Sequence, residues 1–136
     1  MKGITAIVES AAYVDDLDAA EAFYRDVLGL AVLGKEPGRH VFFRVGDRDV
    51  LLVFNPATTR QGGHVPPHGS TGQGHFALGV RAGGLGAWRA RLAEYRVAIE
   101  QEVQWPHGGR SLYFRDPAGN SVEILTPGVW GLPSGW

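Results

Sequence analysis

The sequence predicts an α+β fold built from two βαβββ modules, whose curled mixed sheets enclose a cleft. Three observations lead there. First, the chain repeats itself: residues 38–56 (GRHVFFRVGDRDVLLVFNP) align without a gap on residues 109–127 (GRSLYFRDPAGNSVEILTP), at an offset of 71. Identities recur at Gly38/Gly109, Arg39/Arg110, Phe43/Phe114, Arg44/Arg115 and Pro56/Pro127. Second, ESAAYV at residues 9–14 matches HFALGV at residues 75–80, at an offset of 66. Two copies of one supersecondary unit, rather than a solenoid array, explain both matches. Third, 136 residues suit one domain, and 20 glycines favour many turns and short elements over long helices.

Each element can be read in order. A strand opens the first module over about Ile4 to Val14. A helix follows over about Leu17 to Leu28, because Leu17, Ala20, Phe23, Tyr24 and Val27 recur at helical spacing. Asp15 or Asp16 suits the N-cap and Gly29 the C-terminal stop. Three strands close the module, the last two forming a hairpin that turns near Val45-Gly46-Asp47-Arg48. The second module opens with a strand from His75 to Val80 and a helix carrying Leu85, Trp88, Leu92 and Tyr95. Its closing hairpin turns at Asp116-Pro117-Ala118-Gly119-Asn120. The expected organisation is one domain: module one at 1–56, a Gly/Pro/Thr-rich linker at 57–73, module two at 74–127 and a tail at 128–136.

Composition narrows the function. Lys plus Arg number 13 and Asp plus Glu 14, a net charge of -1, so no basic field invites nucleic acid. No cysteine is present, which excludes disulfides, thiolate metal sites and a cysteine nucleophile. The first residues, MKGITAIVESAAYVDD, lack a long apolar run, so neither a signal peptide nor a membrane span is expected and a cytoplasmic location is the simplest reading.

Hairpin parity makes a further prediction. A turn centred on Ala118 sets Tyr113 across from Glu123, with Ser111 and Leu125 on the same face. The equivalent hairpin sets Phe42 across from Leu52, with His40 and Phe54 beside them. One half of the expected cleft is therefore polar and the other largely apolar, suiting a small organic ligand.

The run DDLDAAEAFYRDVLGL (residues 15–30) resembles the first helix of the vicinal-oxygen-chelate superfamily, the glyoxalase, bleomycin-resistance and dioxygenase relatives. FRDPAGNSVEIL (residues 114–125) resembles its closing hairpin, and the doubled βαβββ layout agrees. The resemblance implies a glyoxalase-like domain. In metal-dependent members, ligands come from the first and last strand of each module. That implies a divalent-metal site at Glu9, His75 and Glu123, with Leu52 at the fourth position unable to bind. One imidazole and two carboxylates suit zinc, manganese, nickel, cobalt or iron, and leave positions open for substrate.

The implied function is a metal-dependent enzyme acting on a small oxygen-bearing organic substrate, of lyase, isomerase or thiol-transfer type. Glu9, Glu123 and Tyr113 are its candidate catalytic residues, and His40, Phe42, Leu52, Phe54, Ser111 and Tyr113 its candidate substrate contacts. Ser111 and Tyr113 match positions resembling the substrate-binding hydroxyls of fosfomycin-inactivating thiol transferases. A metal-free protein that sequesters a drug, with an aromatic pocket of Phe42, Leu52 and Phe54, is the alternative. Extradiol ring cleavage ranks third, because its usual ligand set is two His and one carboxylate. Relatives of this size imply a homodimer with sites near the subunit contact, Glu9 coming from one chain and His75 with Glu123 from the other.

The remaining polar residues have plainer explanations. His64 and His68 fall in the linker, as solvated side chains or part of a lid. His107 belongs to a turn, and the recurring arginine pairs are structural, since a site needs only one copy. Trp130 and Trp136 make an apolar tail that packs on the body or on a partner chain.

Overall fold

The computed structural model describes residues 3–136; residues 1 and 2, assigned above to module one, lie outside the described residues. The chain divides into two compact units, one ending at Gly72 and the other spanning Gln73–Trp136.

The first unit begins with β1 (Glu9–Tyr13). This strand is shorter than the hydrophobic pattern suggests. It pairs in parallel with β4 (Asp49–Phe54), Glu9 standing opposite Val50. The ladder's last bond on this side is Val50 N donating to Val8 O at 3.0 Å, since β4 starts at Asp49. Ile4 and Ile7 are left exposed. Helix α1 (Leu17–Ala22) is capped by Asp16, whose carboxylate accepts from Ala19 N at 3.0 Å. The helical path continues as a π-helical segment, Phe23–Val27, with Leu28 N donating to Phe23 O at 3.3 Å. Gly29, at φ 71°, ends it as the sequence suggests.

Strands β2 (Ala31–Glu36), β3 (His40–Val45) and β4 complete a sheet of order β1-β4-β3-β2, antiparallel except for the β1–β4 pair. One face meets the helical segment. Val41, Phe43, Leu51 and Val53 lie there, buried with Ala20 and Tyr24. The opposite face carries His40, Phe42, Leu52 and Phe54. The region expected to be a linker starts with one helical turn, α2 (Pro56–Thr59), capped by Asn55 Oδ1 accepting from Ala57 N at 3.0 Å. Proline at the first helical position loses no needed donor there.

The second unit repeats the plan. Strand β5 (His75–Gly79) pairs in parallel with β8 (Ser121–Leu125), and β7 (Arg110–Arg115) and β6 (Gln101–Gln104) follow, giving the order β5-β8-β7-β6. Leu112, Phe114, Val122 and Ile124 make its core, together with Leu85 and Leu92 of α3 (Leu85–Glu94). Tyr95 departs from the expected helix face: it is exposed, with the Arg91 guanidinium 5.4 Å from its ring centre.

The hairpin parity holds in both copies, with Tyr113 paired to Glu123, Ser111 to Leu125, Phe42 to Leu52 and His40 to Phe54. Gly38 and Gly109, identical in the repeat, adopt nearly the same left-handed conformation, at φ 76° and 75°. Among the described residues, no helix is long and apolar enough to cross a membrane.

Candidate functional site

The face of the second sheet that turns away from α3 gathers polar side chains. Their positions follow from local structure. The turn after β7 is held by Asp116, whose Oδ1 accepts from Ala118 N at 3.0 Å and Asn120 N at 2.8 Å. Asn120, itself buried, accepts through Oδ1 from Gly74 N at 2.8 Å, tying the turn to the start of β5. Ser121 N also donates to Gly74 O at 2.9 Å. Together these bonds set the register in which His75 stands opposite Ser121 and Ala77 opposite Glu123. The sequence marks Asp116 and Asn120 only as turn residues; their part in aligning the site comes from the fold.

His75 Nδ1 lies 3.1 Å from Ser121 O. A carbonyl oxygen only accepts, so Nδ1 carries a proton, and Nε2 is the nitrogen left to meet a cation or a second proton. That nitrogen is 3.4 Å from Glu123 Oε2. The carboxylate is buried, whereas the imidazole is half exposed. Ser111 Oγ is 2.5 Å from Glu123 Oε1 and fully buried. Trp105 Nε1 donates to Ser111 Oγ at 2.7 Å. Tyr113 stacks beside His75, ring centres 6.1 Å apart. Burial is the main cause holding the Tyr113 phenol above its ordinary pKa; its hydrogen bond to Glu123 and the carboxylate charge add to this, and Ser111 opposes it. Tyr113 therefore keeps its proton at neutral pH and donates it.

The arrangement fits a divalent cation. The Nε2 lone pair and a carboxylate oxygen face each other, and the other imidazole nitrogen donates to a backbone carbonyl, as metal-binding histidines do. The alternative occupant of that gap is a proton on His75, making an ion pair. Among the described residues, no three His, Asp or Glu side chains gather closely enough to hold a metal by themselves.

In the first unit, Glu9 is exposed on β1 opposite Val50, and Leu52 stands opposite Ala11. Those are the places that His75 and Glu123 take in the second unit, so strand pairing agrees with the sequence offsets. The candidate contacts His40, Phe42, Leu52 and Phe54 do come together, lining a cavity of about 620 Å³. His40 stacks on Phe42 at 3.9 Å between ring centres, and Phe54 meets Phe42 edge to face at 5.5 Å. The linker histidine His68 closes one side. Its Nδ1 is 2.7 Å from the Tyr13 hydroxyl, and its ring is 4.6 Å from Phe54.

His40 Nδ1 is buried without a hydrogen-bond partner; the nearest acid oxygen, Glu36 Oε2, is 3.7 Å away. Burial pushes the His40 pKa below its ordinary value, Glu36 pulls it back, and Arg39 adds to the lowering. The imidazole is therefore neutral at physiological pH. No sequence pattern marks Tyr13 or Trp105 as part of a site. Tyr13 ends β1 and Trp105 follows β6 by one residue, and the partner of each is set by a fold contact rather than by strand alternation.

Trp136 packs against Gly79 within the second unit, while Trp130 is exposed. His107 sits in the turn before β7, as expected.

Comparison with known proteins agrees with this fold. The Glyoxalase/Bleomycin resistance protein/Dioxygenase superfamily matches residues 6–124. No curated protein matches the chain. Among solved structures, a lactoylglutathione lyase from Agrobacterium tumefaciens is 44% identical, with a TM-score of 0.91, covering 96% of this chain and 100% of that one. A glyoxalase/bleomycin resistance protein/dioxygenase from Nocardioides is 21% identical, with a TM-score of 0.73, covering 93% of this chain and 85% of that one. A glyoxalase/dioxygenase from Nostoc punctiforme is 24% identical, with a TM-score of 0.67, covering 93% of this chain and 97% of that one. The last two share the fold. With two βαβββ units in identical strand order and a family match over most of its length, the chain belongs to the glyoxalase/bleomycin resistance protein/dioxygenase superfamily.

Proposed function

We propose that the chain is a divalent-metal-dependent enzyme of lyase or isomerase type, acting on a small organic substrate with neighbouring oxygen atoms. The supporting observation is the 3.4 Å approach of His75 Nε2 to Glu123 Oε2, with His75 Nδ1 and Glu123 Oε1 each engaged in a hydrogen bond. The 44% identity to a lactoylglutathione lyase, along nearly the full length of both chains, supports the lyase type.

His75 and Glu123 would hold the ion. Glu9 is proposed as a further ligand from the strand position it shares with His75. When bound, the ion supplies Lewis acidity toward substrate oxygens. The chain's own groups supply the rest. Glu123 Oε1 is engaged by Ser111, which leaves Oε2 as the oxygen that would hold the ion or, when off it, take up or return a proton. Tyr113, protonated and beside His75, donates a hydrogen bond to a substrate oxygen or to Glu123.

Thermal unfolding with and without zinc, manganese, nickel or cobalt tests the reading. The wild type should gain stability with at least one ion, and His75→Ala and Glu123→Gln should lose that gain. A wild type that gains nothing from any of them overturns it.

A second reading is favoured by the first unit's cavity. Its walls, from Phe42, Leu52 and Phe54 with the His40 ring stacked on Phe42, suit a flat apolar molecule bound without chemistry. Stoichiometric ligand binding that persists in Glu123→Gln, with no product formed, would favour it.

A further inference from the structure

We infer that Trp105 is a positioning residue which, through Ser111, fixes the oxygen of Glu123 that faces His75. The inference rests on the reading of Glu123 as a metal ligand and adds what orients it. Its basis is the direction of the protons. An indole nitrogen can only donate. Trp105 Nε1, 2.7 Å from Ser111 Oγ, therefore makes the hydroxyl an acceptor at that contact. Ser111 has one proton left to give, and Glu123 Oε1 is 2.5 Å away. Ser111 is fully buried, so water does not compete for either link. The chain of bonds thus has a single polarity, from indole to hydroxyl to carboxylate. It occupies Oε1 and turns Oε2 toward His75 Nε2.

This leaves Ser111 no proton to donate to a substrate, since its one proton is committed to Glu123. Trp105 is itself held by a closed turn. Trp105 N donates to Gly109 O at 3.2 Å and Gly108 N to Trp105 O at 3.1 Å. Gly109 lies so close to Thr126 O and Pro127 O that a Cβ there would sit 2.9 Å from each.

The repeat provides an internal control. In the first unit His40 replaces Ser111 and Leu52 replaces Glu123. The β2–β3 turn there spans only residues 37–39, whereas 105–109 separates β6 from β7. Trp105 lies in that longer turn. The relay thus accompanies the carboxylate and is absent from the unit that lacks it.

The experiment has two readouts on the full chain. In metal-free, nitrogen-15-labelled protein, the Trp105 indole N–H resonance is identified by its loss in Trp105→Phe. It should move in Ser111→Ala and in Glu123→Gln, and return toward the wild-type position in Ser111→Thr. Zinc alone, titrated calorimetrically, should bind about tenfold or more weakly to Trp105→Phe and to Ser111→Ala. The double variant should bind no more weakly than Ser111→Ala, because the indole acts through the hydroxyl. An indole resonance indifferent to both Ser111→Ala and Glu123→Gln overturns the relay. So does wild-type zinc affinity in Trp105→Phe when Glu123→Gln has lost binding. If zinc fails to bind the wild type, the metal reading falls, and the indole resonance still decides the relay.

Discussion

His40 and Ser111 occupy the same place in the two copies and meet opposite fates. Ser111 finds a carboxylate across the hairpin ladder's diagonal; His40 finds Leu52, and its Nδ1 stays unpartnered. A buried polar atom without a partner disfavours the charged ring still further. Burial lowers the His40 pKa, against Glu36 and with Arg39. The unfolded chain takes up the proton near pH 6.5, the folded chain only at lower pH. Stability should therefore be constant above that value and fall as pH drops below it, until the folded pKa is reached. Urea unfolding between about pH 7.5 and 5.5 should show the decline, and His40→Phe should flatten it. An unchanged slope in His40→Phe would assign the acid sensitivity elsewhere.

Leu52 offers a second test at this scale. It faces the same cavity as Glu9, at the place Glu123 takes in the second unit. Leu52→Glu should set a second carboxylate beside Glu9 and raise affinity for zinc or manganese in titration. Unchanged affinity in a folded variant would argue against Glu9 as a ligand.

At the scale of elements, the two copies of the repeated glycine differ in surroundings. Both have φ near 75°, which a Cβ makes unfavourable by about 1–2 kcal/mol. At Gly38 a Cβ meets nothing within 4 Å; at Gly109 it meets Val129 at 2.8 Å and two backbone carbonyls at 2.9 Å. Gly38→Ala should therefore cost about 1 kcal/mol and Gly109→Ala about 2–4 kcal/mol, because backbone cannot swing aside. Chemical denaturation of the two variants gives the comparison, and equal losses would contradict it. The helix of the first unit shows what periodicity conveys. Leu17, Ala20, Phe23, Tyr24 and Val27 are buried as their spacing predicts, yet the hydrogen bonding changes from α to π at Phe23. Spacing reports the buried face; it is silent on which carbonyl each N–H selects.

For the whole molecule, exposed apolar side chains are the feature that calls for a partner. Ile4, Ile7 and Val8 precede β1 and are exposed, and Trp130 and Leu132 are exposed in the tail. Burying such surface against a second copy favours association, and a twofold homodimer is the simplest closed solution. Sedimentation should therefore give a dimer at micromolar concentration, made tighter by a metal ion if ligands come from both chains. A species that remains monomeric with zinc bound would show that the exposed residues are not an interface.

The repeat, the hairpin parity and the burial of alternate residues could be read from the sequence because they are periodic. A one-residue slip would turn every core side chain outward, so the pattern at Val41, Phe43, Leu112 and Phe114 leaves one register. The same periodicity placed Tyr113 across from Glu123 and Phe42 across from Leu52. Non-periodic contacts needed the tertiary structure. Trp105 reaches Ser111 from a turn, Asn120 holds Gly74 across 46 residues, and Tyr13 meets His68 across 55. Each is a single directed hydrogen bond between segments whose approach depends on how the sheet pairs. No local spacing encodes it, because the energy that brings those segments together is the burial of the core beneath them.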